Sequence, residues 1–248
     1  MDRLIYTAMT GAKHIMEQQA TNSHNLANAS TTGFRTQLDS FRAVPILGPG
    51  MPTRTFVVDA TVGTDFAPGV IHHTGRDLDV AIQGNGWFAI EGPNGGEAYT
   101  RNGAFKLNEN GVLQTQTGRN VIGDGGPITL PPGVAVAIAR DGTISTTDPA
   151  TPGVPPTVVG RLKLVNPPEE NLKRGDDGLF RLINGDEAPE DLNVAVEGGA
   201  LETSNVNVVD SMVTMITLAR QFELQINMLK NAENNATKAG QILNMSGT

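Results

Sequence analysis

Apolar residues at 4-3 spacing occupy both ends of this chain, and that rhythm narrows the fold more than any other feature. Val208, Met212, Met215, Ala219, Phe222, Ile226, Leu229, Glu233, Ala236, Gly240 and Leu243 fall on successive a and d positions of a heptad, and nine of the eleven are apolar. Near the start, Ile5, Ala8, Ala12, Ile15, Gln19, Asn22 and Leu26 step by three and four in the same way. A 3.5-residue period places such positions on one face of a helix, and a face that long seeks another helix. The expectation is two terminal helices pairing as a coiled coil, the second on the order of 55 Å long at about 1.5 Å per residue.

The middle of the chain excludes the same reading. All 15 prolines lie between Pro45 and Pro189, and 25 of the 29 glycines lie between Gly48 and Gly199. Helix interiors reject proline and penalise glycine, whereas tight turns use both. Short β-prone runs alternate with turn residues from Thr53 onward, among them Leu78–Gln83, Trp87–Glu91, Glu97–Arg101, Thr143–Thr146, Thr157–Val165 and Leu192–Val196. Asn110-Gly111 and Asp141-Gly142 are hairpin dipeptides between such runs. The fold class expected is mixed α and β, with an all-β, sandwich- or barrel-like central body. The domains expected are 1–35 and 203–248 as helical assembly segments, 36–52 as a linker containing Val44–Pro52, and 53–202 as the β-rich body. Asp148–Pro156 reads as a stiff surface loop, and Asn207 as a cap for the second helix with Asp210 near its positive end.

Charge follows the same division. The formal net charge is −8, yet 205–243 carries three basic and three acidic residues, and 1–35 carries three basic and two acidic ones. Near-neutral helices lack the repulsion that opposes close packing, while an acidic middle favours solubility. An acidic chain without a basic patch argues against a nucleic-acid partner. The chain has no cysteine, so neither disulfides nor thiolate ligands enter. Its apolar runs are too short for a transmembrane segment, and its first residues lack the basic start and apolar stretch of a cleaved secretory signal.

Motifs with chemical meaning resolve into structural ones. Gly84-Asn85-Gly86-Trp87-Phe88-Ala89 matches a dinucleotide fingerprint, but that mechanism needs a helix after the glycines. Trp87–Glu91 is instead aromatic and β-prone and reads as part of a hairpin. His72 and His73 are adjacent, and neighbours on a strand point to opposite faces, so they do not suit one metal. No nucleophile elbow is present. The reading is therefore no catalytic residue, no metal and no cofactor.

Two blocks at the ends carry a resemblance. Asn25-Leu26-Ala27-Asn28-Ala29-Ser30-Thr31-Thr32-Gly33-Phe34-Arg35 resembles the N-terminal motif of the flagellar rod and hook axial proteins. Leu201-Glu202-Thr203-Ser204-Asn205-Val206-Asn207, followed by Arg220-Gln221-Phe222-Glu223, resembles the C-terminal one. Tyr99–Gly103, Gly123–Ile128 and Val159–Leu164 extend the likeness through the middle. The resemblance implies a non-enzymatic subunit of the bacterial flagellar basal-body rod, in its proximal part, with a distal-rod subunit as the alternative. It implies export without a cleaved signal through the flagellar type III apparatus. The partners it implies are copies of the chain and other rod proteins, including FlgG, in a periplasmic drive shaft that transmits torque. The assembly residues expected are Ile5, Ala8, Ala12, Ile15, Leu26, Val208, Met212, Met215, Ala219, Phe222, Ile226, Leu229, Ala236 and Leu243. The motif residues are Asn25, Leu26, Ala27, Asn28, Gly33, Phe34, Ser204, Asn205 and Val206. A β-domain binding module, or a hydrolase carried on a helical stalk, is the rival reading from the residues themselves.

Overall fold

The computed structural model describes residues 2–45, 55–93, 95–149 and 155–245. They form two compact units. One comprises Met1–Asn28, Thr36–Asp65 and Val206–Thr248, and the other comprises Ala29–Arg35 and Phe66–Asn205.

In the first unit α1 spans Asp2–Ala27 and α2 spans Val208–Met245. Both follow from the absence of proline and the near absence of glycine at the chain ends. Asn207 caps α2 as its position suggests. Its Oδ1 accepts from the backbone N–H of Val209 at 3.1 Å and of Asp210 at 3.3 Å, and its Nδ2 donates to Asp210 Oδ2 at 2.6 Å. At the same end of the pair, Asn28 stops α1, its side chain donating to the His24 carbonyl at 2.9 Å. The two helices pack together and run antiparallel, because Asn22 meets Ser211 while Gly11 meets Gln225.

The first unit also holds a two-stranded antiparallel ribbon, β1 (Gln37–Pro45) and β2 (Thr55–Thr64). This corrects the expectation of a linker over 36–52 as far as Pro45. The register shifts between Ser40 and Phe41, a bulge that adds twist to an isolated ribbon. The proline- and glycine-rich run that suggested a linker begins only at the strand's end, and its 46–52 portion lies outside the described residues. α1 packs on this ribbon: Thr21 Oγ1 donates to Asp39 Oδ1 at 2.8 Å, and His14 meets the Phe41 ring edge-on at 5.4 Å.

The second unit is β throughout, apart from one turn of 3-10 helix at Glu169–Asn171. Its largest sheet has five antiparallel strands in the order Leu164–Val165, Trp87–Glu91, Glu97–Thr100, Phe180–Leu182, Leu172–Arg174. A three-stranded sheet takes Ala135–Ile138, Thr143–Thr147 and Thr157–Arg161, and four two-stranded pairs complete the unit. The strands are two to five residues long, and glycine turns such as Gly111 and Gly142, both at positive φ, interrupt them. Strands this short leave the sheets open at their edges, so the body is not a closed barrel among the described residues. Two apolar clusters fill it. One gathers Val80, Ile82, Phe88, Phe105, Leu113, Ile144 and Leu162, and the other gathers Trp87, Tyr99, Val165 and Phe180. Trp87–Glu91 is a strand rather than a helix, so Gly84 and Gly86, both at positive φ, turn the chain into a strand and not into the helix that a dinucleotide fingerprint requires. The loop expected at Asp148–Pro156 lies largely outside the described residues.

Candidate functional site

Three places concentrate functional side chains: the helical pair, the point where the two terminal motifs meet, and an acidic cleft of the body. On α1 the 4-3 positions face inward. Ala8, Ala12 and Ile15 are buried, and Ile5, Gln19, Asn22 and Leu26 are half-buried.

On α2 the inward face is Ser211, Met215, Leu218, Phe222, Gln225, Leu229 and Ala232, again a 4-3 sequence. It includes the two residues whose meeting with α1 fixes the direction of the pair. Asn22 Nδ2 donates to the Ser211 carbonyl at 2.7 Å, and the Gln225 amide occupies the notch left by Gly11. Met215, Phe222 and Leu229 belong to the expected stripe, and Ile226 beside them is half-buried. Val208, Met212, Ala219, Glu233, Ala236 and Gly240 are exposed. The side chain of Leu243 lies outside the described residues. The alternate positions are displaced by one residue because Val208–Leu218 holds seven apolar side chains in eleven residues. With so many apolar positions, spacing alone cannot select which of them turns inward.

The consequence is an apolar surface that α1 does not cover. Val208, Val209, Met212, Val213 and Ile216 are each 40–68% exposed within the first three turns of α2. Leu224 and Met228 continue along it, and Tyr6, Met9 and Met16 are exposed on α1. A helix apolar on nearly all sides is suited to burial on more than one side.

The motifs meet in the β body. Glu202 is 1% exposed and lies between two buried arginines. Arg35 Nη2 approaches Glu202 Oε1 at 2.7 Å, off the hydrogen-bond direction, and Arg101 Nη1 donates to Oε2 at 3.0 Å. The Gly69 N–H also donates to Oε1 at 2.7 Å, and Arg101 Nη2 donates to the Gly84 carbonyl at 2.6 Å. The Arg101 guanidinium stands 5.4 Å from the Trp87 ring centroid. Burial lowers its pKa to about 10, a shift partly opposed by Glu202 and reinforced by Arg35.

Around this cluster the two motifs bond directly. The Gly33 N–H donates to the Glu202 carbonyl at 2.8 Å, and the Asn205 N–H donates to the Phe34 carbonyl at 3.3 Å. Asn205 Nδ2 reaches the Ala67 carbonyl at 3.0 Å, and Thr32 Oγ1 donates to Asn102 at 2.9 Å. Phe34 is buried beneath Arg174, whose guanidinium lies 4.6 Å above the ring. Ser204 is buried and Val206 half-buried. Asn25, at the far end of the N-terminal motif, is buried in the helical unit, where it donates to and accepts from the Gln37 backbone at 2.9 Å each. Leu26 and Asn28 are half-buried there and Ala27 is exposed. Arg35, Arg101 and Glu202 each lie inside a stretch that carries the resemblance, yet the sequence alone assigns them no role. Their neighbours in sequence are mixed polar and apolar, so no local signal marks them.

In the cleft between Glu91, Glu97, Asp124, Lys163, Glu187 and Glu190, partners within the chain hold three of the five acids. Lys163 pairs with Glu97, Asn120 donates to Glu91 at 2.6 Å, and Arg161 lies 3.4 Å from Glu190. Tyr99, fully buried in the neighbouring cluster, donates to Glu97 Oε2 at 3.1 Å and accepts from the Ala188 N–H at 2.7 Å. Burial pushes the phenol up to about 12, with the Glu97 charge adding to the rise. The folded state then keeps a proton that an unfolded tyrosine loses near its ordinary pKa of 10.0. This contribution to stability is complete below that value and is lost as pH rises toward about 12. Urea midpoints measured across that alkaline interval should fall less steeply for Tyr99→Phe than for the native chain. Equal slopes would contradict the assignment.

Comparison with known proteins accords with the placement of these features. Residues 5–35 match a family described as flagella basal body rod protein. Residues 81–146 match the flagellar hook protein FlgE/F/G D1 domain, and 197–242 match the flagellar basal body rod FlgEFG protein C-terminal family. The flagellar basal-body rod protein FlgF of Escherichia coli (strain K12) is 46% identical over 99% of this chain and 100% of its own length. FlgF of Salmonella typhimurium is 45% identical with the same coverage. FlgG of Buchnera aphidicola subsp. Schizaphis graminum is 30% identical over 89% of this chain and 92% of its own. Matched at both terminal motifs and through the body between them, the chain belongs to the flagellar basal-body rod proteins and is most like FlgF among them.

Proposed function

We propose that this chain is a proximal-rod subunit of the flagellar basal body that polymerises through its terminal helices. It joins copies of itself and other rod proteins, FlgG included. In this reading the helical pair supercoils and buries its remaining apolar faces against neighbouring helices, so packed helices resist torque. The subunit has no catalytic role, leaves the cytoplasm through the flagellar type III apparatus without a cleaved signal, and works in the periplasmic part of the shaft. The names of the relatives support the rod, and the higher identity to FlgF than to FlgG supports its proximal part. Against a hydrolase reading, three of the five carboxylates of the acidic cleft, Glu97, Glu91 and Glu190, are engaged by Lys163, Asn120 and Arg161.

The observation that carries the proposal is the uncovered apolar surface at the start of α2. Fully burying such a side chain contributes about 1.5–3 kcal/mol, and half of that is available to each of these half-exposed ones. An aspartate there would have to be buried unpaired. Ile216→Asp should therefore reduce the amount of the chain in isolated basal bodies by at least about tenfold. Ile216 is 56% exposed, so the helical content and melting of the purified variant should stay as in the native chain. Full incorporation of the variant would refute the proposal. Phe222 suits this test less well, since it sits half-buried on the inward face and its loss would also disturb pairing within the chain.

A further inference from the structure

Methionines are concentrated on the open side of the helices. The chain has eight. The side chains of Met9, Met16, Met212, Met215 and Met228 are described; all but Met215 are 45–58% exposed, and Met215 is half-buried. All five lie on α1 or α2. A thioether in water adds little to an isolated chain, but its flexible, polarisable side chain adapts well to a partner's surface. The same exposure opens the sulfur to two-electron oxidants, and no cysteine is present to react first.

We propose that Met9, Met16, Met212 and Met228 are an oxidation-sensitive set, and that their conversion to sulfoxide by hydrogen peroxide disables the free subunit for association. The proposal rests on assembly through the helical faces. In the step, a sulfur lone pair attacks a peroxide oxygen, the O–O bond breaks and an S–O bond forms. The sulfur is oxidised by two electrons and the peroxide is reduced to water. The product replaces an apolar group with a strong dipole. At Met212 that dipole would lie among Val208, Val209, Val213 and Ile216, where an apolar docked surface would leave it without a donor.

Two measurements test it. Peptide mapping of the purified full chain after brief peroxide treatment should show the four exposed residues oxidised at least about fivefold faster than Met215. In cells, a chain carrying Met→Gln at all four positions, an amide of sulfoxide-like polarity, should be about tenfold depleted from basal bodies, while Met→Leu at the same positions is retained. Equal oxidation of Met215, equal incorporation of the two variants, or exclusion of both would overturn the proposal. Ile216→Asp measured alongside separates the two ideas. If that variant is excluded while the glutamine variant assembles, only the oxidation proposal fails. If it assembles normally, the helical-face reading fails as well.

Discussion

Glu202→Gln should lower the stability of the β body by about 3–5 kcal/mol, the usual cost of removing one partner from a buried ion cluster. The carboxylate serves two arginines, and for one of them it is the only ion-pair partner among the described residues. Arg35 is fully buried, and its Nε and Nη1 have no hydrogen-bond partner among the described residues. Without Glu202 its charge would stand alone in the body. Arg101 would keep the Gly84 carbonyl and the Trp87 face but lose the interaction that counters its desolvation. Trp87 is the single tryptophan of the chain, so its fluorescence during urea unfolding reports the loss directly. A change of less than about 1 kcal/mol would mean that the cluster does not hold the motifs together. Replacing all three residues together by apolar ones of similar volume should cost far less than Glu202→Gln, because no charge is then left unpaired.

Gly33→Ala should be nearly as damaging, for two separable reasons. Gly33 sits at φ +67°, where an L side chain costs about 1–2 kcal/mol. A Cβ there would also overlap the backbone between Arg101 and Asn102, which cannot give way as a flexible side chain would. The expected total exceeds about 3 kcal/mol. Gly118→Ala isolates the first contribution. Its φ is +82°, yet nothing lies within 4 Å of an added Cβ, so only the conformational cost remains. Similar unfolding midpoints for the two alanine variants would show that the approach of Gly33 to Arg101 is not tight.

The contrast between the two helices explains what the sequence could and could not reveal. On α1, polar residues such as Lys13 and Glu17 separate the apolar ones, so one face stands out and Ala8, Ala12 and Ile15 are buried as their spacing implies. At the start of α2, apolar residues surround the axis, and which side met α1 was decided by Gly11 receiving Gln225 and by Asn22 reaching Ser211. Those contacts lie nearly the whole chain apart, and periodicity carries no trace of them. Turn chemistry located the Asn110-Gly111 and Asp141-Gly142 hairpins. Strand Gln37–Pro45 is hidden in the sequence because its partner, Thr55–Thr64, lies across the proline- and glycine-rich segment that reads as a linker. The Arg35, Arg101 and Glu202 cluster was illegible for the same reason as the helix register. Each residue is unremarkable locally, and only the tertiary fold brings residues 35, 101 and 202 together.

The bonds from Gly33 to Glu202 and from Asn205 to Phe34 have a consequence for how such a subunit diversifies. The stretch on which the polypeptide first enters the β body and the stretch on which it finally leaves are fastened side by side, like the jambs of one doorway. Whatever is threaded between those jambs, longer loops or an extra strand pair, can be exchanged without altering the threshold itself. Related proteins with dissimilar interiors could thus keep the same frame, and novelty would accumulate in the room rather than at the door.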